Sequence, residues 1–172
     1  MTTVLVVSDT HGDLSFVRRT LAAHPEVETL IHLGDNCDDA LLLASEASLP
    51  LHNVRGNGDF DCTHGCPASA IVEIAGHRLL LVHGHLQDVK RGLSRLTAHA
   101  AQRLPPVEIV LFGHTHRPCQ LAAVREDGSS FLLLNPGSAR EPRRGFGETA
   151  ASCLLLRIGE VEGPGGIETV WE

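Results

Sequence analysis

Ile109-Val110-Leu111-Phe112-Gly113-His114-Thr115-His116 decides how this chain folds and where its chemistry collects. The first four residues are a short apolar run, partly β-branched, of the kind that makes a buried strand. The run stops at Gly113, where the backbone can turn tightly, and presents two imidazoles with one residue between them. A strand projects residues i and i+2 to the same side, so His114 and His116 fan out from one strand end. They can reach two neighbouring metal ions. The pair gains its weight from four other strand ends in the chain that also finish in ligand-type residues.

Upstream, Thr3 to Ser8 is a continuous apolar run suited to a strand buried on both faces, and it opens into Asp9-Thr10-His11-Gly12-Asp13. Asp13 is a candidate N-cap for a helix through about Ala23 with Leu14, Val17 and Leu21 inward, and Pro25 stops it. Leu30 to Leu33 is the next strand, closed by Gly34-Asp35, with a helix over roughly Asp38 to Ala47. His32 lies within that strand and reads as a satisfied core histidine. Leu51 to Val54 is a third strand, ending in Arg55-Gly56-Asn57-Gly58-Asp59. Asn-Gly favours a turn, and Asn57 also offers its amide oxygen as a neutral ligand. Cys62, His64 and Cys66 lack a second ligand pair and read as loop residues rather than a zinc site.

Ser69 to Ile74 and His77 to Val82 predict a hairpin around Ala75-Gly76, and the second strand ends in His83-Gly84-His85. Asp88 is expected to cap an amphipathic helix to about Arg103, with Val89, Leu93 and Leu96 on one face. Beyond His116, Gln120 to Arg125 and Ser130 to Leu134 flank a turn, and Asn135-Pro136-Gly137-Ser138 follows. A basic loop carries Arg140, Arg143 and Arg144, and Ala150 to Ile158 and Gly166 to Trp171 read as two more strands. The first half is βαβαβ; the second is expected to be mostly antiparallel.

At 172 residues, 42% apolar and 20% charged, the chain reads as one globular domain over residues 1–172. A net charge of −7 disfavours an extended nucleic-acid surface. No apolar run reaches 18 residues, so no spanning helix is expected. Met1 leads straight into a strand pattern without a basic region or cleavage site, which argues for a cytoplasmic location. Five Cys without framework spacing read as reduced thiols. Exposed strand edges make a homodimer reasonable.

Five strand ends therefore carry Asp9 and His11, Asp35, Asn57, His83, and His114 with His116. Three oxygen and four nitrogen donors are too many for one closed zinc site and suit two ions sharing a carboxylate. Without Cys, the set favours Mn²⁺, Fe²⁺, Ni²⁺ or Zn²⁺. Ions in such sites stand roughly 3.5–4 Å apart, turn water into a nucleophile near neutral pH and bind phosphoryl oxygens. The chemistry implied is hydrolysis of a phosphate ester.

In this order along the chain, the Asp-x-His, Gly-Asp, Gly-Asn, His-Gly-His and Gly-His-x-His motifs resemble the calcineurin-like metallophosphoesterase superfamily. The short length, Gly-Asn-x-Asp at 56–59 and Asn-Pro-Gly-Ser at 135–138 resemble the small YfcE-like phosphodiesterases. The resemblance implies a four-layer α/β/β/α sandwich and a small phosphate-ester substrate. It puts Asp9, His11 and His116 on one metal, Asn57, His83 and His114 on the other, and Asp35 between them, with manganese the leading metal. Catalytic roles fall to Asp35 and Asn57, and to His85 in one of its two readings.

The sequence departs from the family at Gly58, where many members carry a His that acts as general acid. Slow turnover, or a preference for leaving groups that need little protonation, is the expected consequence. His85 is the nearest replacement donor; its other reading is a loop histidine that hydrogen-bonds a neighbour. Asp59 either orients His11 or His83 or, as preferred, caps a turn. Arg140 and Arg143 either touch a substrate phosphate or, as preferred, belong to a solvated loop. Two competing functions remain: a phosphomonoesterase or nucleotide phosphatase, and a non-catalytic scaffold like the retromer-coat subunit of the same fold.

Overall fold

The computed structural model describes all residues except 61–64, 141–149 and 160–163. Cys62, His64, Arg143 and Arg144 thus lie outside the described residues. Strands β1 (Thr2–Val7), β2 (Thr29–His32) and β3 (Leu51–Asn53) are parallel, with α1 (Ser15–Ala23) and α2 (Cys37–Ala47) as crossovers. The elements β4 (Ser69–Ile74), β5 (His77–Val82), α3 (Ser94–Ala101), β6 (Ile109–Phe112), β7 (Pro118–Val124), β8 (Ser130–Pro136), β9 (Ser152–Ile158) and β10 (Pro164–Trp171) follow. They make two five-stranded sheets, ordered β10-β9-β1-β2-β3 and β4-β5-β6-β8-β7.

Alternation along each apolar strand builds the layers. Val4 and Val6 of β1 point between the sheets and meet Leu79 and Leu81 of β5 and Ile109 and Leu111 of β6. Leu5 and Val7 point the other way, onto Phe16 and Val17 of α1 and Leu43 of α2. On the far side, Leu80, Val82, Val110 and Phe112 pack against Leu96 and Ala100 of α3. Three cores separate four layers, the α/β/β/α sandwich. It explains why these strands are uniformly apolar: both faces are buried. No helix among the described residues is long and apolar enough to cross a membrane.

Several local expectations hold. The hairpin turns at Ala75 and Gly76, with φ of 49° and 83°, the two left-handed residues a two-residue hairpin of the primed type needs. His32 is buried and satisfied, its Nε2 3.2 Å from Thr10 Oγ1 and its Nδ1 accepting the Gly34 amide at 3.2 Å. Burial holds its pKa at about 4, so it stays neutral.

Other expectations are qualified or corrected. The second half is mostly antiparallel, through β4–β5, β7–β8 and β9–β10, but β5, β6 and β8 run parallel at the centre of its sheet, which the sequence did not indicate. Apolar alternation does not encode strand direction; the crossover through α3 does. The helix expected from Asp88 begins only at Ser94. Asp88 at φ 54° and Gly92 at φ 150° take the backbone off the helical path. Val89 and Leu93 keep their inward side without helical turns. Asp13 is not the N-cap of α1, yet its Oδ1 accepts the Ser15 amide at 3.0 Å.

Parallel pairing has one functional consequence. Val7 lies level with His32, and Val82 with Phe112, so the C-terminal ends of β1, β2, β5 and β6 reach the same height. Loops leaving these ends meet at one rim, where open α/β sheets bind their ligands.

Candidate metal centre

All seven sequence-derived candidate ligands gather at that rim. Asp9, His11 and His116 form one group, and Asp35, His83 and His114 another, with ligand atoms inside each group within 4.8 Å of one another. Asn57 joins the second group, its Oδ1 3.2 Å from His83 Nε2. His83 also links the groups: its Nε2 is 3.5 Å from Asp35 Oδ1 and 4.0 Å from Asp9 Oδ1.

The atoms facing one another are acceptors. His83 Nδ1 donates to Leu33 O at 2.8 Å, which leaves Nε2 as a lone pair. That lone pair faces His114 Nδ1 at 3.1 Å as well as Asn57 Oδ1. In the first group His116 Nε2 lies 3.1 Å from Asp9 Oδ1. His11 Nε2 is buried without a hydrogen-bond partner, and buried Asp9 Oδ1 has only the His116 ring nitrogen beside it. Buried acceptors without donors are costly unless a cation sits among them. The donor set therefore fits divalent ions.

Charge states agree with this. Burial would raise the Asp9 carboxyl, but the imidazoles of His116 and His83 and the Ser8 hydroxyl outweigh it and hold the pKa at about 2. His114 is lowered to about 4, first by burial and then by its neighbours His83 and Lys90. An ionised carboxylate beside a neutral imidazole is the state in which ligands accept a metal.

The local backbone is shaped for the site. Asp9, His11, Asp35, His114 and His116 all have positive φ, between 46° and 65°. Such conformations cost roughly 1–3 kcal/mol each and persist only where surroundings impose them. The restraints are visible: Asp9 N donates to Gly34 O at 3.0 Å, Gly113 N to His83 O at 3.0 Å, and His114 N to Asp9 Oδ2 at 3.2 Å. A Cβ on Gly56 would stand 2.1 Å from Asp35 Oδ1, so the Asn57 loop can approach only as glycine.

Asp59 is a cap of a larger kind than a turn. Its two oxygens accept four amides, from Asp35, Asn36, Cys37 and Gly56, at 2.7–2.9 Å. Arg140 is not merely a solvated loop residue: its guanidinium donates to the carbonyl of His11. His85 brings its ring centroid 5.4 Å from that of His83 and 6.1 Å from that of His114, with Nδ1 buried and unpartnered. Burial, then the neighbouring His83, lowers its pKa. Cys66 is a buried residue after the Asn57 loop, its Sγ 3.1 Å from Asn53 Nδ2.

Three supporting residues were missed from sequence. Asp39 Oδ2 accepts Thr10 Oγ1 at 2.7 Å and Gly12 N at 2.8 Å, bracing the Asp9–His11 loop. No local pattern distinguishes it from any acid in the first turn of a helix. Asn135 Nδ2 donates to Gly113 O at 2.9 Å, and Ser138 Oγ to Asp9 O at 2.9 Å. Their signal was the Asn-Pro-Gly-Ser run itself, which has turn residues where a strand should simply end.

Residues 2–159 match the calcineurin-like phosphoesterase superfamily domain. The chain belongs to that superfamily, a family of metal-dependent phosphoesterases. It is 34% identical over 142 residues to a probable metallophosphoesterase of Bacillus subtilis, covering 81% of this chain and 76% of that one. A predicted phosphoesterase of Streptococcus pneumoniae superposes with a TM-score of 0.66 at 26% identity, over 99% of this chain and 98% of the other. Two further structures share the fold. A novel archaeal phosphodiesterase gives a TM-score of 0.69 at 20% identity, covering 99% and 100% of the chains. Vacuolar protein sorting 29 of Entamoeba histolytica, solved with zinc, gives 0.71 at 23%, covering 99% and 98%.

Proposed function

We propose that this chain is a dinuclear-metal phosphodiesterase acting on a small phosphate ester in the cytoplasm. The observation that carries it is the set of acceptors around His83 Nε2, with His114 Nδ1 at 3.1 Å, Asn57 Oδ1 at 3.2 Å, Asp35 Oδ1 at 3.5 Å and Asp9 Oδ1 at 4.0 Å. One ion would not engage both groups, whereas two adjacent ions would. Asp9, His11 and His116 would hold one, Asn57, His83 and His114 the other, and Asp35 would serve both. Manganese is the first choice, with iron, nickel and zinc the alternatives.

Two such ions supply an acidified water as nucleophile and positive charge against the phosphoryl oxygens. The chain does the rest. Leu33 O fixes the His83 ring so that Nε2 faces the centre. Gly58 N donates to Asp35 Oδ1 at 2.7 Å and orients that carboxylate. Gly58 has no side chain to give a proton, so His85 is the group placed to hold one for the departing oxygen. Diester preference is supported by the shared fold of the archaeal phosphodiesterase.

Protein stripped with chelator is assayed on a chromogenic diester and its matching monoester, with each divalent metal restored separately. Activity with Mn²⁺, faster on the diester, is the expected result. A faster monoester would make the chain a phosphomonoesterase. Two bound ions without hydrolysis of either ester would favour the scaffold reading.

A further inference from the structure

A cavity of about 380 Å³ opens beside the second ligand group, bounded by Arg55, Gly56, Asn57, Asp59, Phe60 and His85. Two of these residues also face the candidate centre. Asn57 Oδ1 is 3.2 Å from His83 Nε2, and the His85 and His83 ring centroids are 5.4 Å apart. A phosphoryl group held at the centre therefore extends its substituents within reach of this wall.

The wall carries an unusual residue. Phe60 is 90% exposed, although it lines a cavity that ends at a candidate ligand. Single exposed apolar residues on an open surface need no explanation. A phenyl ring left in water on the wall of a binding cavity is different, because it gains contacts only when something fills the space. Gly58, between Asn57 and Asp59 in the chain, contributes no side chain that could cover it.

Arg55 adds charge. The exposed Arg55 side chain lines the same cavity and brings a guanidinium to its wall. A planar guanidinium and a phenyl ring both favour planar π-systems, the first by stacking or pairing with anionic edges and the second by offset or edge-on contact.

We propose that this cavity is the subsite for one ester arm of the substrate, and that the arm is an aryl or heteroaromatic group packed on Phe60 beside Arg55. The inference rests on the phosphoesterase reading above and adds a substrate class to it.

The test separates the two. Methylphosphonate and phenylphosphonate are titrated calorimetrically into the metal-loaded full chain and into Phe60→Ala and Phe60→Leu variants. Wild type should bind phenylphosphonate roughly 3- to 10-fold tighter, as one aromatic contact allows. Phe60→Ala should abolish that preference while methylphosphonate affinity stays unchanged. Phe60→Leu should retain only part of it, since it keeps apolar area but loses the ring. Equal affinities in wild type, or a preference that survives Phe60→Ala, would overturn the subsite and leave the phosphoesterase reading standing; Phe60 would then serve another purpose, such as contact with a protein. Failure of metal-loaded protein to bind either phosphonate would overturn both.

Discussion

The carboxylate of Asp59 accepts the backbone amide of Asp35 at 2.9 Å, so a residue two places beyond Asn57 holds a candidate ligand from another strand end. The same carboxylate takes the Asn36 and Cys37 amides, each at 2.8 Å, where α2 begins. A negative charge there complements the helix dipole and satisfies orphan donors. Burial acts to raise the Asp59 pKa, but the Gly56, Cys37 and Asn36 amides win and lower it. Asp59→Ala should therefore lose about 0.5–2 kcal/mol of stability, the range for a lost helix cap. It should also weaken metal binding roughly 10- to 100-fold, because Asp35 loses its restraint. Thermal unfolding and metal titration read the two effects separately. Unchanged metal affinity would reduce Asp59 to a helix cap.

Gly58 meets Asp35 from the other side. A Cβ at this position would stand 3.1 Å from Asp35 Oδ1 and 3.3 Å from its Cγ. Any side chain here presses on the carboxylate, so Gly58→His must be compared with Gly58→Ala, which carries the crowding alone. On a diester with a poor leaving group the histidine variant should exceed the alanine variant by at least about 10²-fold, the lower end for general acid catalysis. Equal rates would show that a missing proton donor does not limit turnover.

Gly56 tolerates less. With a Cβ only 2.1 Å from Asp35 Oδ1 and 2.5 Å from Asp35 N, Gly56→Ala requires the backbone of one loop to move. Metal affinity should fall by at least about tenfold while the sheets, whose cores do not involve this loop, stay folded. Circular dichroism and metal titration together test this. Wild-type metal affinity in the alanine variant would mean the two loops separate freely.

His77 provides a pH dependence remote from the metal groups. Its Nδ1 is 2.5 Å from Glu108 Oε2 and its Nε2 2.8 Å from Gly159 O, so both nitrogens face oxygens and the imidazolium is favoured. The Glu108 contact raises the pKa above 6.5, burial opposes it, and the Gly159 carbonyl adds to the rise. A folded-state pKa above the unfolded one stabilises fully below the unfolded pKa and is lost as pH climbs through the folded value. His77→Gln should therefore lower the melting temperature most in mildly acidic buffer and progressively less toward alkaline pH. The effect is modest because Glu108 is half exposed. A wild-type-to-variant gap that stays constant across pH would show that His77 is neutral in the fold.

Much of this architecture was legible in the chain. Runs such as Leu79-Leu80-Leu81-Val82 and Ile109-Val110-Leu111-Phe112 announce strands buried on both faces, and Ala75-Gly76 announces the hairpin turn, because period and turn chemistry are carried by neighbouring residues. The candidate ligands were legible for the same reason: each follows the end of such a run. Tertiary structure alone decided the rest. The parallel β5-β6-β8 core and three of the four amides on Asp59 depend on partners far away in sequence. The residues alone did not divide the ligands between two groups; the family resemblance did, and in the structure Asp9 joins His11 and His116, and Asp35 joins His83 and His114, because of which strand ends lie side by side. Local patterning specifies what each segment can be; packing of the two sheets specifies which segments meet, because that choice is made by surfaces that do not adjoin until the chain is folded.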